Sequence, residues 1–247
     1  TNIMVIDLNG DYIMENTMTQ TKISNSTLDV LKNFSSINSN ILVKEGNVLT
    51  TISPVKNVMA EATVPESFDQ EFGIWDLNKF LGTISLFEDP EYMFEEKCVT
   101  ISSSKNSSSV RYYYSEPSLL TTVNKQINMP EAVVTCSITQ TVFNDILKAS
   151  SVLQVSDIAI RSNSDELEIV ALDKKDKSSN SYSIALDHLP AGAPQFSFFF
   201  KSENLKMLSG DYDVSISDKV VSQFTNINRS LKYWVALESD SYFNHVQ

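Results

Sequence analysis

Side chains able to do covalent chemistry are scarce in this chain, and their spacing argues for binding rather than catalysis. There are two histidines, His188 and His245, and two cysteines, Cys98 and Cys136. A nucleophile with its base, or a metal cage, draws on such residues in clusters, and these four stand far apart. The six glycines form no GxGxxG and no phosphate loop ending in Lys-Ser or Lys-Thr, and no HExxH is present. Glu95 with Glu96, or Asp173 with Asp176, could hold a cation, but Lys97 and Lys174, Lys175 and Lys177 sit among them, as in solvated turns. No catalytic residue, metal or cofactor is expected, and both thiols read as reduced cysteines buried in strands.

Lysines are what recurs. Lys32, Lys79 and Lys148 fall at or near the polar faces of three predicted helices, and Lys201 and Lys206 belong to a fourth, short one. On any single helix such a lysine is ordinary solvated surface. If the helices share one side of a curved sheet, however, the lysines form a strip favourable to phosphates.

A duplicated unit would position them. The phrase Leu28-Asp29-Val30-Leu31-Lys32-Asn33-Phe34-Ser35-Ser36 returns as Phe143-Asn144-Asp145-Ile146-Leu147-Lys148-Ala149-Ser150-Ser151, with Asp29, Leu31 and Lys32 matched 116 positions later. Apolar spacing predicts a helix over 26–37, capped by Ser26 or Thr27, then strands over 41–44, 48–53, 59–64 and 71–75. A helix over 76–86 and strands over 92–95, 99–103 and 110–114 complete the unit. The second half repeats the order: helix 140–153, strands 157–161, 167–172, 181–186 and 195–200, a short helix 202–208, and strands 212–217, 220–226 and 231–237. Residues 115–131, with Pro117 and Pro130, read as an extended connector. Residues 1–17 have no counterpart and read as an N-terminal extension, outside an ordered fold or foreign to the native chain. The class is α+β, with domains over 18–114 and 132–247.

Composition bounds the function. Hydrophobic and charged contents of 42% and 20% are ordinary for a globular chain, and no apolar run reaches the roughly 20 residues that span a bilayer. The first 17 residues carry no Lys or Arg, unlike the start of a secretory signal, so a cytosolic protein is expected. A net charge of −12 repels polyanions at long range, and on charge alone nucleic acid is disfavoured.

The runs STLDVLKNFSSINSNILVKEGNVL, FGIWDLNKFLGTISLF and YWVALESDS closely resemble, in order and spacing, the DNA polymerase sliding clamps of T-even-type bacteriophages. The resemblance extends over residues 18–242 and implies the DNA clamp fold: two similar clamp domains, each with two helices packed on curved antiparallel sheets, assembled as a ring. It further implies a homotrimer that encircles duplex DNA without reading sequence. Its other partners would be DNA polymerase, clamp loader and, as a further class, transcription factors, in the cytoplasm of an infected bacterial host and with no membrane contact. Lys32, Lys79, Lys148, Lys201 and Lys206 would face DNA. A sliding contact suits lysine, a flexible point charge, better than the rigid fork of arginine. By analogy Arg111, Arg161 and Arg229 would lie in strands or turns. Partner peptides would dock against Ile52, Ile127, Met129, Pro130, Tyr233, Ala236 and Leu237, each of which could equally be core. Subunits would meet where strand 110–114, with Arg111, Tyr112, Tyr113 and Tyr114, pairs with strand 181–186 of a neighbour, with Tyr182 and Ile184. Alternatively the tyrosines pack within their own sheet. A competing reading is a trimeric β-rich structural or surface protein of a phage, which fits the composition but not the duplicated lysine-bearing helices. An enzyme is the weakest reading.

Overall fold

The repeated phrase folds into the expected helices, and the two halves of the chain are joined by a β-ladder. The computed structural model describes residues 21–103, 105, 107–123, 128–176 and 178–244, together with the backbone of 2–6 and 12–16. Strands β1 (Asn2–Ile6) and β2 (Tyr12–Asn16) pair antiparallel with each other, so part of the extension is a hairpin rather than unstructured chain. In the first half, α1 (Asn25–Ser35) is followed by β3 (Ile41–Val43), β4 (Gly46–Ile52), β5 (Val58–Phe68) and β6 (Phe72–Ile74). Then come α2 (Leu77–Ile84), β7 (Glu91–Phe94), β8 (Cys98–Ser102) and β9 (Ser109–Tyr113).

The second half runs β10 (Val134–Ile138), α3 (Gln140–Leu153), β11 (Asp157–Asn163), β12 (Glu166–Leu172), β13 (Tyr182–His188) and β14 (Phe196–Lys201). After β14 comes a single 3-10 turn, Ser202–Leu205, where the sequence predicts a helix to Leu208. Four residues cannot hold the longer helix because Lys206 already leaves helical geometry, with ψ at 70°. β15 (Tyr212–Ser217), β16 (Val221–Asn226), β17 (Leu231–Ala236) and the two-residue β18 (Tyr242–Phe243) finish the chain. β10 is absent from the sequence reading, although Val134, Cys136 and Ile138 alternate with Thr135 and Ser137 at strand period. Its counterpart in the first half is one bridge, Thr21 to Tyr92, just before α1. Cys98 is buried in β8 and Cys136 half-buried in β10, both free thiols.

Burial follows the repeat. At the common offset of 116, Thr27 and Phe143, Val30 and Ile146, and Phe34 and Ser150 are buried, while Asp29 and Asp145, and Lys32 and Lys148, are exposed. Both helices therefore present the same face to the sheets and the same lysine to solvent. Ser24, not Ser26 or Thr27, caps α1: its hydroxyl accepts from the Thr27 N–H at 3.3 Å. Glu66 of β5 reinforces that end, accepting from the Ser24 N–H at 2.5 Å and from the Thr27 hydroxyl. Burial works to raise the Glu66 carboxyl, but the bonds from Thr27 and Ser24 outweigh it and hold the group below the ordinary glutamate value of 4.5. Its contribution is thus complete above that value and is lost as pH falls towards the lower folded value. Replacing Glu66 with Gln should cost about 1 kcal/mol at neutral pH and progressively less as pH falls below 4.5, measured by urea unfolding across that range.

The largest sheet crosses the halves, in the order β10-β15-β16-β17-β5-β4. β17 and β5 pair antiparallel from Leu231 with Ala62 to Val235 with Val58. The ladder is extended by the Ala236 N–H on the Asn57 carbonyl and the Thr63 N–H on the Ser230 carbonyl. The second half adds the sheet β13-β12-β11-β14-β18, and the first half adds β3-β6 and β7-β8-β9. Tyr92, Phe198, Phe200, Phe224 and Tyr233 are among the most deeply buried side chains, between these sheets and the helices.

Candidate functional site

Four of the five lysines read from sequence stand free on the helical side. Lys32 on α1, Lys79 on α2, Lys148 on α3 and Lys206 after the 3-10 turn are exposed, and no described carboxylate lies within 4 Å of their ammonium groups. Lys201 differs. It ends β14, and its Nζ lies 2.6 Å from Oδ1 of Asp157, whose side chain is 3% exposed. A buried carboxylate needs its cation, so Lys201 is committed to Asp157 and unavailable to a ligand.

α1 and α2 pack against each other, with a groove of about 710 Å³ whose walls include Leu28, Leu81, Phe87, Lys22 and Lys32. Lys22 is held by Asp89 at 2.8 Å, which leaves Lys32 as the uncommitted cation of this groove. On the other side of α1, Asn33 Nδ2 donates to the Lys206 carbonyl at 3.1 Å. Lys79, Lys32 and Lys206 therefore follow one another across the halves, on α2, on α1 and beside the 3-10 turn. Arg111 and Arg161 lie in β9 and β11 and Arg229 in a turn, so the described helices carry no arginine.

The proposed peptide pocket divides by strand parity. Tyr233 and Leu237 belong to the core, at 1% and 7% exposure, and the Tyr233 hydroxyl bonds to Asn33 and Leu208 on the helical side. Alternate residues of β17 face the other way. Ladder partners share a face, which puts Ile52 of β4, Met59 of β5, Trp234 of β17 and Gln223 of β16 in one row, with Ala236 two residues on from Trp234. Met59 and Trp234 are buried there, apart from the main core, and the Trp234 indole Nε1 has no hydrogen-bond partner among the described residues. Trp234 is the residue the sequence reading missed: a strand that points Ala236 outwards must point Trp234 outwards and Tyr233 inwards. Met129 and Pro130 are half-buried on the connector, and Ile127 lies outside the described residues.

The proposed interface strands are both sheet edges. β9 is the outer strand of β7-β8-β9, and β13 the outer strand of the five-stranded sheet. Tyr112 on β9 and Tyr114 just after it turn into their own half: Tyr112 meets Phe80 edge-on at 5.0 Å and donates to the Asp76 carbonyl, and Tyr114 stacks on Phe72 at 5.0 Å. Arg111 and Tyr113 are exposed on the opposite face. On β13, Tyr182 is exposed, and Ile184 and Leu186 are only half-buried against the core.

Burial keeps the Cys136 thiol and the Tyr92 phenol protonated at neutral pH. Burial pushes the Cys136 thiol up to about 12, with Asp187 and Asp213 adding to the effect, and pushes the Tyr92 hydroxyl up to about 12. No group of three or more potential metal ligands occurs among the described residues.

Comparison with known proteins bears on the family and the fold. Residues 20–116 match the DNA polymerase processivity factor family, and residues 135–239 match the C-terminal part of the gp45 sliding clamp family. The chain is 30% identical to the sliding clamp of Escherichia phage RB69 over 226 residues, covering 89% of this chain and 98% of the relative. It is 29% identical to the sliding clamp of Vibrio phage KVP40 over 223 residues, covering 88% and 99%. Among solved structures, the PCNA of A. fulgidus, bound to the C-terminal region of FEN-1, superposes with a TM-score of 0.64 at 14% identity over 87% of this chain and 96% of that one. The beta clamp of Helicobacter pylori, bound to a DNA ligase peptide, superposes with a TM-score of 0.66 at 10% identity over 93% and 68%. At such identities the structures speak for the fold, while the phage relatives, matched over nearly their whole length, speak for the family. The chain belongs to the phage sliding clamps, the processivity factors of DNA polymerase.

Proposed function

We propose that three copies of this chain close into a ring around duplex DNA and hold a polymerase there without catalysing any reaction. One observation carries the ring. β5 is the third strand after α1 and β13 the third after α3, while β9 and β17 are the strands that end the two repeats. Within the chain, β17 pairs with β5, and the equivalent pair, β9 and β13, is left as two open edges. Pairing β9 of one copy with β13 of the next repeats a joint that the chain already makes, and it covers edges that would otherwise invite aggregation. Domains over 18–114 and 132–247 then alternate, six to a ring of three. Sedimentation equilibrium at micromolar concentration should give three times the 27.7 kDa chain mass; a monomer throughout would exclude the closed ring.

Lys32, Lys79, Lys148 and Lys206 would line the hole, and the remaining acidic surface would turn DNA away from the outside. Contacts to phosphates alone let the ring slide, because nothing is read from the bases. Polymerase, clamp loader and transcription factors would reach the ring through peptides docking at Ile52, Met59, Trp234 and Ala236, beside the connector that carries Ile127, Met129 and Pro130. The setting would be the cytoplasm of an infected bacterium. Trp234→Ala should weaken a polymerase C-terminal peptide at least tenfold by fluorescence anisotropy, the scale of losing one buried aromatic anchor. Equal affinity for Trp234→Ala would remove the pocket from this face.

A further inference from the structure

The joint between the halves has two layers. Outside is the β5–β17 ladder, and inside is a polar bridge centred on Tyr233. Its hydroxyl donates to Asn33 Oδ1 at 2.6 Å and accepts from the Leu208 N–H at 3.0 Å. Asn33 uses its other end on the Lys206 carbonyl at 3.1 Å, and the Tyr212 hydroxyl donates to the Leu208 carbonyl. α1 of the first half is thereby tied to residues 206–208 of the second. Tyr233 is 1% exposed, so its hydroxyl is costly to leave unpaired, while the Asn33 bond to Lys206 lies at the surface.

A ladder alone can flex like a hinge about its own line. A second attachment, displaced by the roughly 10 Å between packed layers, fixes the angle. That angle decides whether Lys32, next to Asn33, and Lys206, whose carbonyl Asn33 holds, lie on one curve.

The repeat supplies an internal comparison. The offset of 116 that matches Lys32 with Lys148 matches Asn33 with Ala149, which has no side-chain hydrogen-bonding group. Tyr112 on β9 turns inward as Tyr233 does on β17, and its hydroxyl donates to the Asp76 carbonyl of its own half. The joint that β9 and β13 would make between subunits thus has the ladder and the tyrosine but not the asparagine.

We propose that Asn33 and Tyr233 are positioning residues that lock the joint inside the chain, and that Ala149, at the place equivalent to Asn33, leaves the joint between subunits without this lock and therefore quicker to exchange. The first half of the proposal stands on the single chain, and the second rests on the ring reading. Spin labels on Ser67→Cys and Asn163→Cys, exposed sites on β5 and β11, with Cys136→Ser in the background, report the angle between the halves as a distance distribution. Asn33→Ala should broaden it most, because it removes both the Tyr233 contact and the tie to the Lys206 carbonyl, Tyr233→Phe should broaden it less, and the double variant should be little broader than Asn33→Ala. A lowered melting temperature with an unchanged width would reduce the bridge to ordinary stability and overturn the lock. Should Tyr233→Phe fail to fold, Asn33→Ala, at a half-buried position, decides the matter. For the second half, Ala149→Asn should slow subunit exchange between differently labelled rings about threefold or more, the scale of one net hydrogen bond. Unchanged exchange overturns that half, and a chain with no subunits to exchange overturns the ring reading while leaving the distance result standing.

Discussion

Replacing Lys32 and Lys148 together with glutamate is expected to lower clamp-dependent processive synthesis at least tenfold while the subunits stay associated. Each substitution reverses a charge, and in the proposed ring of three each would be made three times, in equivalent places on α1 and α3. Affinity that arises from phosphate contacts falls steeply as cations are removed, and its salt dependence falls with it by about 0.9 per lost contact on a logarithmic scale. The readout is product length in primer extension at two salt concentrations. Lys201→Glu is the informative contrast: its ammonium sits on the buried Asp157, so the loss should appear as lowered thermal stability. If Lys32→Glu with Lys148→Glu leaves product length unchanged, the helical face is not the DNA face.

Ile184→Asp is expected to dissociate the ring, weakening subunit association at least a hundredfold and abolishing stimulation of the polymerase. Ile184 is half-buried on the open edge strand β13, beside Tyr182 and Leu186, and opposite Ile169 on β12. Paired to β9 of a neighbour, it would pack beside Val110 and Tyr112, where a carboxylate loses its water and gains no cation, a cost of several kcal/mol. Its half-exposure in the single chain means that the fold itself should tolerate the change better than the interface does. Sedimentation together with far-UV circular dichroism separates the two: a folded monomer is expected, and a folded trimer of undiminished affinity would remove β13 from the interface.

Much of this architecture is legible in the sequence because local and global signals coincide. The helix over 140–153 has the predicted ends, since Thr139 caps it and Gln154 stops it in left-handed geometry. The repeat at 116 positions holds to the level of single buried faces. What stayed hidden depends on contacts that periodicity does not encode. Lys201 looked like a helical lysine because nothing local reveals that Asp157, 44 residues earlier, lies beside it at 2.6 Å. β10 escapes notice because five residues of alternation, just after the connector, are too few to stand out. The split of Tyr233 from Trp234 was readable, as strand parity alone forbids Tyr233 and Ala236 from sharing a face. The pairing of β17 with β5, which points to how the ring would close, spans about 170 residues and could be found only in three dimensions.

Topological linkage is the central claim, and it is tested most directly by loading the clamp onto a nicked circular plasmid with its clamp loader, removing free protein by gel filtration, and cutting the plasmid once. Clamp is expected to co-elute with the circle in high salt, where contacts to phosphate are screened, and to leave within minutes of linearisation by sliding off the ends. Clamp that stays on linear DNA, or that leaves the intact circle as salt rises, would mean that it is held by contact and not by enclosure.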